Sequence, residues 1–128
     1  MSKEKKVTLL YVDDEDVNLF IFERTFQDLY NIVTAISGEE GLKKLEQHAD
    51  DIIIVISDMR MPGMDGVAFI RKAKAMYANI AYYILTAYAF NEDIDKALEE
   101  KLINKFFEKP INVELIKKEV EHVLDQIR

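Results

Sequence analysis

The sequence contains no cysteine, and it has only 2 prolines and 4 glycines among 128 residues. Without cysteine the chain forms neither disulfide bonds nor thiolate metal sites, and this fits a reducing compartment. It also lacks any segment rich in Pro, Gly or Ser, any low-complexity tract and any internal repeat. A chain of this length can bury one hydrophobic core of useful size, so we expect one domain.

Long hydrophobic runs are missing as well. The longest mostly apolar stretch, residues 78–90, contains Asn79 and Thr86 and is too short to cross a bilayer. The charged opening MSKEKK lacks the apolar segment of a signal peptide, so we interpret residues 1–6 as a solvated tail and expect a cytoplasmic protein. The net charge of −7 disfavours direct binding of nucleic acid or of an anionic membrane.

Short apolar runs alternate with longer amphipathic segments, and this alternation predicts the fold. The runs expected to be strands are residues 7–12, 31–36, 52–57, 81–85 and 105–108. Several of them are apolar throughout, which is typical of parallel strands covered on both faces. Five β–α units joined by right-handed crossovers predict an α/β fold of the doubly wound, flavodoxin-like kind. Its parallel sheet would have the order 2-1-3-4-5 and lie between two layers of helices.

The helices between these strands are predicted from capping residues and apolar faces. The first is expected over about residues 16–28, and the residues assigned to its inner face are Asn18, Ile21, Phe22, Thr25 and Phe26. Ser37 and Glu40 form a capping-box pattern that begins the second helix. The caps expected at the start of the other three helices are Asp65, Asn91 and Asn112.

Acidic residues follow two of the predicted strands at the edge where such sheets bind ligands. Asp13 and Asp14 end the first strand, and Asp58 ends the third, within ISDMRMPGMDG (56–66). The topological switch point lies between these strands, so the three carboxylates should converge. Charges about 4 Å apart repel by roughly 4 kcal/mol at an effective dielectric near 20, so the cluster must take up protons or bind a cation. An all-oxygen site suits Mg²⁺ or Mn²⁺ rather than zinc.

Two further polar residues are expected at the same edge. Thr86 ends the fourth strand, and Lys109 ends the fifth. A metal ion, an ammonium group and a hydroxyl around one carboxylate are what in-line phosphoryl transfer requires, because its catalysis is mostly positioning and charge neutralisation. Aspartate serves as a nucleophile in this chemistry and forms an acyl phosphate. We therefore predict that Asp58 is a phosphate acceptor.

These residues also carry a resemblance to a known family. The segments VDDED (12–16), SDMRMPGMDG (57–66), LTA (85–87) and FFEKP (106–110) are similar, in order and spacing, to the receiver domains of two-component response regulators. Each motif is weak alone, but the set is specific and spans nearly the whole chain. The resemblance implies a response regulatory domain over residues 7–128. It would be a phosphorylation-controlled signalling switch in a phosphorelay, and not a conventional enzyme.

The resemblance implies a role for each matching position. Asp58 would receive the phosphoryl group from a sensor histidine kinase or a histidine phosphotransfer protein. The residues that would hold Mg²⁺ are Asp13, Asp14, Asp58 and, through its backbone carbonyl, Arg60. The residues that would contact the phosphoryl oxygens or leave room for them are Thr86, Ala87 and Lys109.

The resemblance also implies a switch and several structural positions. Phe106 matches an aromatic residue that rotates inward when Thr86 is drawn to the phosphoryl group. This motion would change the surface of helix 4, strand 5 and helix 5, where a second copy or an effector would bind. Phe106 lacks the hydroxyl of a tyrosine, and Lys101 stands where many receivers carry glycine. The positions expected to be structural are Asp65, Gly66 and Pro110, the last after a cis peptide bond.

Other functions remain open from the sequence alone. A phosphatase of the haloacid-dehalogenase type needs a second acid two residues after its nucleophile, where this chain has Arg60. A flavin or nucleotide carrier needs a Gly- or Ser/Thr-rich phosphate loop after the first strand, where four acids stand instead. A receiver-like scaffold that is never phosphorylated is disfavoured by the complete set of site residues.

Leu19 and Phe20 lie off the face that we assign to the inner side of the first helix. Either the helix is rotated and both residues pack inward, or they belong to a docking surface for a kinase or a phosphotransfer helix. The predicted fifth helix ends with the sequence at Arg128. The chain is therefore expected to be either a stand-alone receiver or the receiver of a longer regulator.

Overall fold

The structure, a computed structural model, describes residues 6–87 and 91–127. Its strands are β1 (Thr8–Val12), β2 (Asn31–Ala35), β3 (Ile52–Ser57), β4 (Ala81–Thr86) and β5 (Lys105–Glu108). They form one sheet in the order β2-β1-β3-β4-β5, and every neighbouring pair is parallel. This confirms the predicted (βα)5 topology, with its switch point between β1 and β3.

A helix follows each strand, and the second to fifth helices begin at the predicted caps. The helices are α1 (Asp16–Phe26), α2 (Gly38–His48), α3 (Gly66–Met76), α4 (Glu92–Glu99) and α5 (Val113–Ile127). At α2, the N–H of Glu40 donates to Ser37 Oγ at 3.0 Å, and Glu40 Oε1 accepts from the N–H of Ile36 at 3.1 Å. The other side chains that accept from the first turn of their helix are Asp65, Asn91 and Asn112. In the described part of the chain, no helix is long and apolar enough to cross a membrane.

The sheet separates two layers of apolar side chains. Val55 and Ile84 lie in the layer covered by α2, α3 and α4, whereas their neighbours Ile56 and Leu85 lie in the layer covered by α1 and α5. Successive residues of a strand point to opposite faces, so both faces are buried. This explains why the strands are apolar throughout, and it confirms the three-layer arrangement.

Helix α1 is rotated relative to the face that the sequence predicted. Ile21 was assigned to the inner face but is 48% exposed, and Thr25 is exposed too. Leu19 instead packs against the core, whereas Phe20 is 59% exposed. The helix has more large apolar residues than one face can bury, so their spacing alone did not select the rotation. The ring contacts of Phe22 with its neighbours in the core select it.

The connection from α4 to β5 contains a non-glycine residue in the left-handed region. Lys101 has a φ of 59°. Its N–H donates to the carbonyl of Leu98 at 3.0 Å, and the N–H of Leu102 donates to the carbonyl of Ala97 at 2.9 Å. These are the hydrogen bonds of a Schellman motif, in which glycine usually occupies the left-handed position. Lys101 adopts the conformation that glycine would favour there.

Candidate functional site

The carboxyl ends of β1 and β3 bring the predicted acidic residues together. Asp13 is fully buried, Asp14 is half-buried and Asp58 is 9% exposed. One carboxylate oxygen from each lies within 4.8 Å of the other two. The N–H of Asp58 donates to the carbonyl of Val12 at 2.8 Å, and that of Asp13 donates to Ala35 at 3.1 Å. The parallel hydrogen bonding therefore continues past the strand ends and sets the positions of both acids.

Lys109 reaches this cluster from the loop after β5. Its Nζ lies 3.3 Å from Asp13 Oδ2 and 3.4 Å from Asp58 Oδ1. The backbone N–H of Lys109 donates to the carbonyl of Thr86 at 2.8 Å. The peptide bond from Lys109 to Pro110 is cis, as the resemblance implied. The ammonium group thus lies between two carboxylates and offsets part of their mutual repulsion.

Asp13 has hydrogen-bond donors on both carboxylate oxygens. Oδ2 accepts from the hydroxyl of Tyr11 at 2.6 Å and from Nδ2 of Asn18 at 3.2 Å, while Oδ1 accepts from the N–H of Glu15 at 3.0 Å. Burial and the bond to Asp13 raise the pKa of Tyr11, so its hydroxyl keeps the proton that it donates. Tyr11 and Asn18 were not predicted as site residues. The sequence offered one signal for Tyr11: it lies two residues before Asp13, and side chains two residues apart along a strand point to the same face.

Asp58 is a buried carboxylate whose partners do not offset its burial. Its Oδ1 accepts from the N–H of Met59 at 2.9 Å. Burial raises the pKa of Asp58, and the charge of Asp13 raises it further, whereas Lys109 and the N–H of Met59 lower it. Because burial and the charge of Asp13 together outweigh the favourable partners, the ionised carboxylate is destabilised, and a bound cation would stabilise it.

A cavity of about 370 Å³ opens above the cluster. It is lined by Asp14, Glu15, Asp58, Arg60, Ala87 and Lys109. Thr86, the last residue of β4, is buried, and it immediately precedes Ala87, which lines the cavity. Five of the predicted site residues, Asp14, Asp58, Arg60, Ala87 and Lys109, therefore line one solvent-accessible space at the carboxyl edge of the sheet, whereas Asp13 and Thr86 are buried.

Gly66 lies against the backbone of Asp58. A Cβ at this position would lie 2.3 Å from the carbonyl oxygen of Asp58 and 2.9 Å from Ile84 Cδ1. The N–H of Gly66 donates to the carbonyl of Met59 at 2.8 Å, and the neighbouring Asp65 caps α3. Only glycine allows α3 to begin this close to the acidic site.

Phe106 lies on the sheet face to which Thr86 also points. It pairs in register with Ile84, two residues before Thr86, and it is half-buried against the layer under α2, α3 and α4. The structure therefore places the two predicted switch residues on neighbouring strands and on the same face.

The fold and the acidic edge together define a flavodoxin-like α/β protein of the receiver type. A profile of the response regulator receiver domain matches residues 9–121, and the chain belongs to this family. Receiver domains are signalling switches of two-component systems rather than classical enzymes. They bind Mg²⁺ in an acidic pocket and interact with histidine kinases and phosphotransfer proteins.

Similar proteins and structures agree with this membership. The transcriptional regulatory protein GlrR of Escherichia coli (strain K12) is 32% identical over 123 residues, which cover 95% of this chain and 27% of GlrR. A response regulator receiver domain protein from Clostridium thermocellum matches with a TM-score of 0.83 at 25% identity, covering 94% of this chain and 95% of that one. A chain of the CheX–CheY–BeF3–Mg²⁺ complex from Borrelia burgdorferi matches with a TM-score of 0.82 at 26% identity, covering 92% and 89%. This chain spans about a third or less of the length of the curated relatives.

Proposed function

We propose that Asp58 is the phosphoacceptor of a phosphorylation-controlled switch, and that Asp13, Asp14 and Asp58 hold the metal ion that the reaction requires. One observation carries the proposal: oxygens of these three carboxylates lie within 4.8 Å of one another, and the ammonium of Lys109 lies 3.4 Å from Asp58 Oδ1. This is a buried nucleophile beside a cation site, as transfer of an anionic phosphoryl group requires.

The residues at the site fit Mg²⁺. Their donors are carboxylate oxygens, which hard cations prefer, and the backbone carbonyl of Arg60 at the cavity rim would add a further oxygen. Mn²⁺ would suit the same ligands. When bound, the ion neutralises charge on the transferring phosphoryl group. The partly buried site would also strengthen this effect, because few water molecules screen it.

In the proposed reaction, a carboxylate oxygen of Asp58 attacks the phosphorus of a phosphohistidine. The P–N bond breaks, the imidazole leaves and an acyl phosphate forms. Lys109 stabilises the negative charge on the phosphoryl oxygens, and the hydroxyl of Thr86 donates to one of them. Ala87 leaves space for the group, since its side chain is a single methyl at the cavity rim.

The phosphodonor is proposed to dock beside α1. Val17, Phe20 and Ile21 are exposed on this helix. A groove between α1 and the start of α5 runs from Ile21 to Lys109 and reaches the acidic site. An exposed apolar patch at a groove that reaches Lys109, whose Nζ lies 3.4 Å from Asp58 Oδ1, suits a helix of a histidine kinase or a phosphotransfer protein. In this proposal Phe20 belongs to the docking surface, whereas Leu19 packs against the core.

The proposal also covers the location of the receiver domain, the surface that phosphorylation changes and the residues that keep the loops in place. Residues 7–128 act as the receiver domain in the cytoplasm, without direct contact to nucleic acid or membrane. Phosphorylation changes the surface of α4, β5 and α5 through Thr86 and Phe106, and a second copy or an effector reads this change. Asp65, Gly66 and Pro110 keep the surrounding loops in place.

Incubation with acetyl phosphate tests the proposal. Wild type should gain one phosphoryl group in Mg²⁺, detected by intact mass, and EDTA or Asp58→Asn should abolish the gain. Asp65→Asn is the matched control, because it removes a carboxylate of the same loop while asparagine still caps α3. Labelling of Asp58→Asn at the wild-type rate would contradict the assignment. A wild type that takes up no label in Mg²⁺ would favour the scaffold function instead.

A further inference from the structure

The hydrogen bond between Tyr11 and Asp13 connects the core to the acidic site. Tyr11 is 1% exposed, and its hydroxyl lies 2.6 Å from Asp13 Oδ2. A hydroxyl–carboxylate bond of this length is charge-assisted and roughly twice as strong as a neutral one. The same oxygen lies 3.2 Å from Asn18 Nδ2 and 3.3 Å from Lys109 Nζ, so Tyr11 makes its shortest contact.

The ring of Tyr11 cannot easily move away. It stacks on Phe22 of α1 with ring centroids 4.2 Å apart and an interplanar angle of 14°, and Phe22 contacts Phe26 at 4.8 Å. All three rings are buried in the layer under α1 and α5. Close packing of this kind keeps a side chain in one rotamer. The position of the hydroxyl is therefore set by the core, and not by the loop that carries the acids.

We propose that Tyr11 is a positioning residue that holds the Asp13 carboxylate in the orientation that binds Mg²⁺. The inference rests on the proposed function in taking Asp13 as part of the Mg²⁺ site. Without the hydroxyl, the carboxylate is held on Oδ2 only by Asn18 and Lys109. It can then turn towards the ammonium, and this closer ion pair competes with the metal ion for the same oxygens.

The expected effect of Tyr11→Phe is a loss of Mg²⁺ affinity. Hydrogen-bond partners of metal ligands typically change metal affinity by 10–100-fold when they are removed. Because Asn18 and Lys109 remain, we expect about a tenfold rise in the Kd for Mg²⁺, at the low end of this range. The phosphorylation rate should need correspondingly more Mg²⁺ to reach half of its maximum, while the maximal rate changes much less.

Tyr83→Phe is the matched control. Tyr83 is also fully buried on this face of the sheet, and its hydroxyl donates to Glu119 Oε1 at 3.0 Å. Its ring stacks on Phe107 with centroids 5.5 Å apart. The variant thus removes a buried tyrosine–carboxylate bond of the same kind, but on β4 and α5 rather than at the acidic site.

Calorimetric Mg²⁺ titrations of the full chain, without phosphodonor and at constant ionic strength, test the proposal. Tyr11→Phe should bind about tenfold more weakly than wild type, and Tyr83→Phe should bind equally well. Equal affinities of Tyr11→Phe and wild type would overturn it, and so would an equal loss in both variants. A wild type that fails to bind Mg²⁺ would contradict the proposed function itself, so the two failures are distinguishable.

A second measurement uses only the wild type. Buried, hydrogen-bonded tyrosine hydroxyl protons exchange slowly enough to be sought by NMR. The Tyr11 hydroxyl resonance should shift when Mg²⁺ is added, because its acceptor changes partners, whereas that of Tyr83 should not. A Tyr11 resonance that is unaffected by saturating Mg²⁺ would overturn the proposal even if Tyr11→Phe did not fold.

Discussion

At the scale of one residue, Asp58 lowers the free energy of unfolding and still suits the phosphoryl transfer proposed for it. Burial raises its pKa and the neighbouring Asp13 raises it further, although Lys109 pulls it down. Between the unfolded-state and folded-state pKa values, the folded protein binds more protons than the unfolded chain. Stability therefore falls as pH rises through this window, and the ionised Asp58 destabilises the metal-free protein at neutral pH.

We predict that Asp58→Asn stabilises the metal-free protein. Removing one charge from a cluster of three carboxylates should raise the free energy of unfolding at pH 7 by about 1–3 kcal/mol after solvent screening. The gain should shrink as pH falls towards the ordinary pKa of aspartate, because the wild-type carboxyl is then protonated as well. Urea midpoints in EDTA at several pH values measure this difference. An Asp58→Asn variant less stable than wild type at pH 7 would show that the carboxylates are not in conflict.

At the scale of one element, α4 ends in a Schellman motif that has Lys101, rather than the usual glycine, at its left-handed position. Lys101 has a φ of 59°, and it donates its N–H to Leu98 as the left-handed residue of a Schellman motif does. The left-handed region costs an L-residue with a side chain roughly 1–2 kcal/mol. The motif forms nevertheless, because Leu102 and Ile103, which follow, are buried in the core.

Lys101→Gly should therefore stabilise the protein. Relief of the left-handed strain exceeds the larger unfolded-state entropy of glycine, so we expect a gain of about 0.5–1 kcal/mol in the free energy of unfolding. Lys101→Ala is the matched control, since it removes the same charge and stem but keeps a Cβ. Thermal or urea unfolding of the three proteins measures the effect. Equal gains in both variants would assign it to the lysine side chain instead of to the backbone.

At the scale of the whole molecule, the neighbouring strands β4 and β5 connect the acidic cluster with the surface of α4, β5 and α5. Thr86 ends β4 beside the acidic cluster, and Phe106 on β5 is half-buried on the same sheet face. Inward movement of Thr86 would leave space for the Phe106 ring. Because phenylalanine has no hydroxyl to keep in water, its burial is favoured by apolar area alone. A bias of a few kcal/mol between two such states is enough for a switch.

Beryllofluoride with Mg²⁺ should reveal this coupling. As a mimic of the phosphoryl group, it should shift amide resonances of α4 and β5 well beyond the residues that line the cavity, while those of β2 at the opposite edge stay nearly unchanged. Phe106→Ala should bind the mimic but lose most of the distant shifts. Shifts confined to the loops around Asp14, Asp58 and Lys109 would mean that the site binds the mimic without transmitting a change.

The sequence by itself determined the topology, the helix caps and the identity of the acidic cluster. Local rules suffice for these features, because continuous apolar runs predict buried parallel strands and capping residues predict helix starts. Once the order 2-1-3-4-5 is known, residues at strand ends must share one edge, so Asp13 and Asp58 could be placed together from the sequence. Strand bounds differed from the structure by one residue at most, at β1, β2 and β4.

Only the tertiary structure decided how side chains pack across elements. The rotation of α1, with Ile21 exposed and Leu19 against the core, depends on ring contacts that the helical period does not encode. The sequence predicted Lys109 at this edge, but not that its Nζ lies 3.3 Å from Asp13 Oδ2. The bond from Tyr11 to Asp13 likewise depends on the stacking of the Tyr11 ring on Phe22. Such distances follow from close packing of the complete chain, so no local pattern of residues could specify them.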